Sequence, residues 1–199
     1  RKTVSRFTVQ YTGRSPADAV FSIAHNERPE KALLQSRPGQ SFIAAARAKE
    51  KVEESRGSFF IHDDVESVCR DQTIDSVEQT RIVTVSGFLK CTNGDQVGYT
   101  LKLESIDNEQ LRFDIQLANP EYTRLYLGFE STPEERIFGF GEQFTYFDMK
   151  GRRLPIFVME QGIGRGVQPI TVGANLTAKA GGDWHTSYAG VPFFMTSRM

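Results

Sequence analysis

Residues 81–105 read RIVTVSGFLKCTNGDQVGYTLKLES. Ile82, Thr84 and Ser86 fall on one side and Val83 and Val85 on the other, the period-two signature of a half-buried strand. Thr92-Asn93-Gly94-Asp95 is dense in residues that tolerate positive φ and marks a turn. Val97 to Ser105 answers with Tyr99, Leu101 and Leu103 on one face. Two alternating runs about a tight turn predict an antiparallel hairpin. Asp107-Asn108-Glu109 then turns the chain again. Leu111, Phe113, Ile115 and Leu117 alternate with Arg112, Asp114 and Gln116, and Leu125, Leu127 and Phe129 alternate beyond the break at Asn119-Pro120. No long amphipathic helix interrupts this meander. Each sheet must bury one apolar face, so residues 1–199 predict an all-β fold: a single antiparallel β-sandwich domain.

Upstream, Phe7, Val9 and Tyr11 alternate with Arg6, Thr8 and Gln10, which predicts a half-buried strand over Val4 to Tyr11. Gly13-Arg14-Ser15-Pro16 turns the chain and Val20 to Ile23 gives a second strand. Glu27 to Gln40, with Pro29, Pro38 and Gly39, predicts a loop. Ser41 to Glu54 is ambiguous. Its alanines, Lys49 and Glu50 favour a helix by propensity, while the strands around it keep a strand open. Ser55-Arg56-Gly57 ends that run and Phe59-Phe60-Ile61 restarts as strand. Downstream, Gln168 to Val172 reads as a short strand and Ala180 to His185 as a loop carrying Trp184. Tyr188 to Phe194 reads as a strand with Pro192 at its start or edge.

Composition narrows the function classes. A formal net charge of -1 argues against a nucleic-acid platform, which needs a basic surplus on one face. No apolar run approaches the ~18 residues of a membrane span, and no apolar stretch follows Arg1-Lys2 as a signal peptide requires. Cys69 and Cys91 are too few for a disulfide framework or a zinc site, and two free thiols are the preferred reading. Asn175-Leu176-Thr177 matches a glycosylation acceptor, a pattern that chance supplies often. The chain starts at Arg1 and stops after Val191-Pro192-Phe193-Phe194-Met195 with no cap or polar tail, which reads as a piece of a longer protein.

The chemistry-bearing residues gather between Glu135 and Gly166. Gly139 and Gly141 alternate with Phe138 and Phe140, and Glu142-Gln143 emerges where those glycines stop. A second cluster, Glu160-Gln161, precedes Gly162, Gly164 and Gly166 around Arg165. Carboxylates, amides and an arginine between rings are how a polar ligand edge is lined. The first glycine group fails as a dinucleotide loop, because Phe144 replaces the third glycine and no helical period follows. The second lacks the Lys-Ser/Thr of a P-loop, and a flexible loop is favoured over a nest of backbone N–H groups. Glu142 and Glu160 as a catalytic glycosidase pair is outweighed by each being solvated or paired with Arg136, Arg152, Arg153 or Arg165. Contact with ligand is the role their surroundings support. His25, His62 and His185 show no metal-ligand spacing, so neither a metal nor a cofactor is expected.

Ile137-Phe138-Gly139-Phe140-Gly141-Glu142, then Asp148-Met149-Lys150-Gly151-Arg152 and Pro155-Ile156, resemble the N-terminal domain of glycoside hydrolase family 31. Tyr188 to Phe194 is similar to the strand that closes that domain. Glu160-Gln161-Gly162-Ile163-Gly164-Arg165 looks closest to the family's sulfoquinovosidase branch. The resemblance implies a galactose-mutarotase-like β-sandwich preceding a catalytic (β/α)8 barrel that carries both aspartates of a retaining mechanism. The family's nucleophile stretch is absent from these residues, so this chain alone should hydrolyse nothing. Its expected part is a substrate-entrance loop over residues 142–166, in which Glu160, Gln161 and Arg165, with Glu142 and Gln143, touch a carbohydrate substrate. The expected partner is the barrel of the same polypeptide, with no nucleic acid and no membrane. From a different class, a free-standing carbohydrate-binding module would use Trp184 and Tyr188 as its stacking platform. A mutarotase is a third reading, by fold analogy alone.

Overall fold

The computed structural model describes residues 1–13, 18–107, 109–160 and 162–198. Arg14, Ser15 and Pro16 of one predicted turn, Asn108 of another and the candidate site residue Gln161 lie outside the described residues. The chain divides into two units. One comprises Arg1–Lys49 and Asp63–Ser131, the other Glu50–His62 and the chain from Thr132 onward.

The first unit is built around the predicted hairpin. β8 (Val83–Cys91) and β9 (Gln96–Ser105) pair antiparallel from Val83↔Leu103 to Lys90↔Gln96. At their turn Gly94 has φ 90, Cys91 N–H donates to Asp95 O (2.9 Å) and Asp95 N–H to Asn93 Oδ1 (3.2 Å). The alternating face buries Val83, Val85, Leu89, Val97, Tyr99, Leu101 and Leu103. β10 (Leu111–Leu117) extends the sheet from β9, and β7 (Ser76–Gln79) also pairs with β8. β6 (Ser58–Gln72), β5 (Ile43–Ser55) and β11 (Arg124–Leu127) complete the order β10-β9-β8-β6-β5-β11. The first four strands, β1 (Lys2–Val4), β2 (Phe7–Thr12), β3 (Val20–His25) and β4 (Ala32–Gln35), form a second sheet in chain order. Val4, Phe7, Val9, Phe21 and Ile23 of that sheet share one core with Phe42, Ile43, Val85 and Leu101. Two antiparallel sheets closed over one apolar core make the predicted β-sandwich.

A polar knot is buried in this core. Gln72 Oε1 accepts the backbone N–H groups of Phe42 (3.0 Å) and Ile43 (3.1 Å), and its Nε2 donates to Tyr99 Oη (2.9 Å). Tyr99 Oη donates in turn to Thr73 O (2.8 Å). Burial pushes the Tyr99 phenol up to about 12. The amide thereby satisfies two backbone N–H groups at the start of β5.

Four local expectations are corrected and one left open is decided. Val4 to Tyr11 is two strands, because the chain reverses at Ser5 (φ 50) and pairs Val4 with Phe7. The expected loop over Glu27 to Gln40 contains β4, which completes the edge of its sheet. Ser41 to Glu54 resolves as β5: Ala45 and Ala46 lie fully buried in the sheet between β6 and β11, and that burial outweighs helix propensity. Gln168 to Val172 opens α1 (Pro169–Ala178), with Pro169 presetting the first helical φ and Lys179 closing the helix in the left-handed region. Its β-branched Ile170, Thr171 and Val172 had imitated a strand. Cys69 and Cys91 are joined in a disulfide, since the register of β6 on β8 sets them directly opposite. Two residues suffice for one bridge when pairing aligns them, which counting cysteines cannot show. No helix among the described residues is long and apolar enough to cross a membrane.

Candidate functional site

The chemistry-bearing residues lie in the second unit. β12 (Ile137–Gly141) pairs antiparallel with β13 (Gly190–Thr196) from Ile137↔Thr196 to Gly141↔Gly190, with a bulge between Gly139 and Gly141. Gly139 (φ 112) and Gly141 (φ 84) are required there. A Cβ at the first would come within 2.7 Å of Phe193 O, and at the second within 2.0 Å of Ala189 O. Phe140 between them takes φ 67 and stacks on Phe194, ring centroids 5.6 Å apart. Glu142 N–H then donates to Ala189 O (2.9 Å) and Gln143 Nε2 to Phe140 O (3.1 Å). Asp148 accepts the N–H groups of Lys150 (3.1 Å) and Ile137 (3.2 Å) and pairs with Arg136 (2.9 Å). These backbone donors, helped by Arg136, hold its carboxyl below the usual carboxylate range.

A concavity of ≈ 760 Å³ lies within this unit. Its walls come from the turn joining β5 to β6, from the 159–167 segment, from α1 and from the 180–188 loop. Glu160 lines it, and its Oε2 accepts the Tyr188 hydroxyl at 2.9 Å. The turn residue Gly57 lies beside the same carboxylate: a Cβ there would stand 3.5 Å from Glu160 Cγ.

Arg165 is engaged by backbone carbonyls and an aromatic ring. Its Nη1 donates to Asp183 O and its Nη2 to Thr186 O, both at 3.0 Å, while its guanidinium carbon lies 4.7 Å from the centre of the Phe144 ring. Ile163 N–H reaches Ala180 O (2.8 Å) and Gly166 N–H reaches Gly182 O (3.2 Å). The glycine-rich run is therefore stapled along the 180–188 loop, and Arg165 is the staple. The flexible-loop reading gives way to an ordered one. The two N–H groups are spent on carbonyls, which leaves the backbone nest without them.

Of the residues expected to touch ligand, Glu160 alone among the described ones lines the concavity; Glu142, Gln143 and Arg165 do not. Of the expected stacking pair, Tyr188 lines the concavity and Trp184 does not. Trp184 is flanked by Tyr146 (5.7 Å) and His185 (5.1 Å), with Arg152 lying 5.9 Å from it and 3.2 Å over Tyr146. Tyr188 keeps 52% of its surface exposed on the concavity. Sequence reasoning missed Arg56, Lys179 and Asn175, which line the same space. The Ser55-Arg56-Gly57 turn was visible as a break in the chain. Its arrival beside Glu160, about a hundred residues later in sequence, was not. Among the described residues no group of three or more His, Cys, Asp or Glu could hold a metal ion.

No family model matches the chain. It is 33% identical over 108 residues to the sulfoquinovosidase of Escherichia coli (strain K12), a match spanning 54% of this chain and 16% of that protein. It is 30% identical over 182 residues to the sulfoquinovosidase of Agrobacterium fabrum (strain C58 / ATCC 33970), across 89% of this chain and 25% of that protein. Its backbone follows a solved GH31 family sulfoquinovosidase from E. rectale, in complex with the aza-sugar inhibitor IFGSQ, with a TM-score of 0.74 and 25% identity. That likeness covers 95% of this chain and 26% of the other. The chain thus spans a quarter or less of the curated relatives it matches. In sequence and in backbone course it is related to the sulfoquinovosidases of glycoside hydrolase family 31.

Proposed function

We propose that residues 1–199 are the N-terminal, substrate-lining region of a retaining α-glycoside hydrolase that acts on sulfoquinovosides, with residues 142–166 as its substrate-entrance segment. The kinship with sulfoquinovosidases supports the chemistry. The observation that carries the domain role is the state of β13. Val191, Phe193, Phe194 and Met195 are apolar and between 38% and 59% exposed, although successive residues of a strand point to opposite faces. A ribbon apolar on both faces needs cover on both. In this reading the catalytic barrel of the same polypeptide provides it.

The barrel supplies the nucleophile and the acid/base, two carboxyls ~5–5.5 Å apart. This chain's residues orient and enclose the sugar. Glu160 is the contact the concavity offers, and Arg165 holds the segment that presents it. The test is hydrolysis of a chromogenic α-sulfoquinovoside by the polypeptide that carries this chain, set against residues 1–199 alone. Turnover by the first and none by the second is expected. A preference for the matching α-glucoside of about tenfold or more in kcat/KM would remove the sulfosugar assignment. Turnover by residues 1–199 alone would remove the accessory role.

A further inference from the structure

The walls of the concavity carry charges of both signs. Arg56 sits at the turn between β5 and β6 with φ 52, exposed, and makes no ion pair or hydrogen bond with its guanidinium among the described residues. Lys179 stands at the left-handed close of α1. Glu160 lines the same space, and its Oε2 is taken by Tyr188. Its other oxygen, Oε1, lies on the Gly57 side, where a Cβ on that glycine would stand 3.6 Å from it. The Asn175 carbonyl accepts Gly181 N–H (2.8 Å), which fixes the amide beside the same space. Tyr188, whose hydroxyl donates to Glu160, is half exposed.

An anionic group drawn into this space by Arg56 would share it with the Glu160 carboxylate, since both side chains line it. A cationic group set against Glu160 would meet Arg56 and Lys179. A hydroxyl satisfies both walls, since it donates to the carboxylate and accepts from the cations. An apolar ring face matches the tyrosine.

We propose that this concavity is a subsite for an uncharged pyranose, in which Tyr188 stacks on the ring, Glu160 accepts from its hydroxyls and Arg56 donates to them. Tyr188 is also the positioning residue for Glu160. The inference rests on the glycosidase reading and deepens it: the β5–β6 turn becomes a specificity element for a neutral part of the substrate.

Calorimetric titration of the 199-residue chain with methyl α-D-glucopyranoside, its uronic-acid analogue and its 2-amino analogue tests this. The neutral glycoside is expected to bind with a dissociation constant on the order of millimolar, and each charged analogue about fivefold or more weaker. Glu160→Gln and Arg56→Asn should each weaken the neutral glycoside by about tenfold. Asparagine suits the positive φ at position 56, so the turn and the thermal midpoint should be kept. Tyr188→Phe, which keeps the ring and loses the pin, should weaken binding less than Tyr188→Ala. No binding of the neutral glycoside, tighter binding of either charged analogue, or unchanged affinity in Glu160→Gln and Arg56→Asn would overturn the subsite. The titration reads binding and not hydrolysis. Turnover by the longer polypeptide without binding here would remove the subsite alone, and binding here without that turnover would remove the glycosidase reading alone.

Discussion

β9 and β13 are both antiparallel strands rich in apolar side chains, and they end in opposite environments. On β9, Val97, Tyr99, Leu101 and Leu103 lie on one face and are buried, while Lys102 on the other is exposed. On β13, Val191, Phe193, Phe194 and Met195 crowd both faces and stay exposed. The difference lies in what each strand was composed to meet. Alternation equips a strand for one covered face and one wet face, whereas a continuous apolar run equips it for cover on both. The sandwich contains its own cover and the ribbon does not.

The comparison is broken most directly at Leu101, which is 0% exposed. Leu101→Ala should cost about 3 kcal/mol, the loss of transfer energy plus a residual cavity. Urea unfolding followed by circular dichroism measures it. A cost close to that of a surface substitution would mean the two strands differ less than their burial indicates.

The next effect is smaller and is read by pH. Tyr99 is raised to about 12, chiefly by burial, so the folded state favours its neutral form. An acid whose folded pKa lies above its unfolded value contributes stability fully below the unfolded pKa. That stability is lost as pH rises from near 10 through 12. The loss should amount to roughly 2–3 kcal/mol. Tyr99→Phe should flatten that alkaline limb. The variant gives up the hydrogen bonds to Gln72 and Thr73, so its stability at neutral pH should fall at the same time.

How much of this was legible in the sequence follows the same division. The β8–β9–β10 meander could be read from alternation because each strand needs only its neighbours to bury one face. β5 could not be decided, since its alanines take their state from β6 and β11 rather than from propensity. The Cys69–Cys91 bridge depends on register, a property of two strands that neither displays alone. Glu160 stands out in the sequence because it sits among glycines and rings, and it lines the concavity. Arg56 does not stand out, because most residues that share its concavity come from a segment about a hundred residues away. Arg165 stands out by composition, while its bonds to the carbonyls of Asp183 and Thr186 depend on a loop that the sequence does not place beside it.

Arg165 sharpens the second half of the comparison. If the glycine-rich run owes its order to this staple, Arg165→Lys should loosen it, since a flexible ammonium lacks the rigid fork with which the guanidinium spans the two carbonyls. A cost of about 1–2 kcal/mol is expected. Trp184, the protein's single tryptophan, lies between the two carbonyl residues and reports the change by fluorescence. An unshifted spectrum and midpoint would leave the loop ordered by its backbone bonds alone.

The smallest expected effect carries the most information. Phe193 is 59% exposed, so Phe193→Ser in residues 1–199 removes little buried surface and should change stability by no more than about 0.5 kcal/mol. The same substitution in the longer polypeptide would strip an aromatic ring from a covered ribbon and should cost several-fold more, about 2–3 kcal/mol or beyond. The ratio between the two backgrounds, measured by denaturant unfolding, is what distinguishes a strand awaiting cover from one that is merely apolar and wet. Equal small effects in both would mean that the proposed barrel leaves β13 uncovered. Its unbroken apolar run would then have to answer to some other surface.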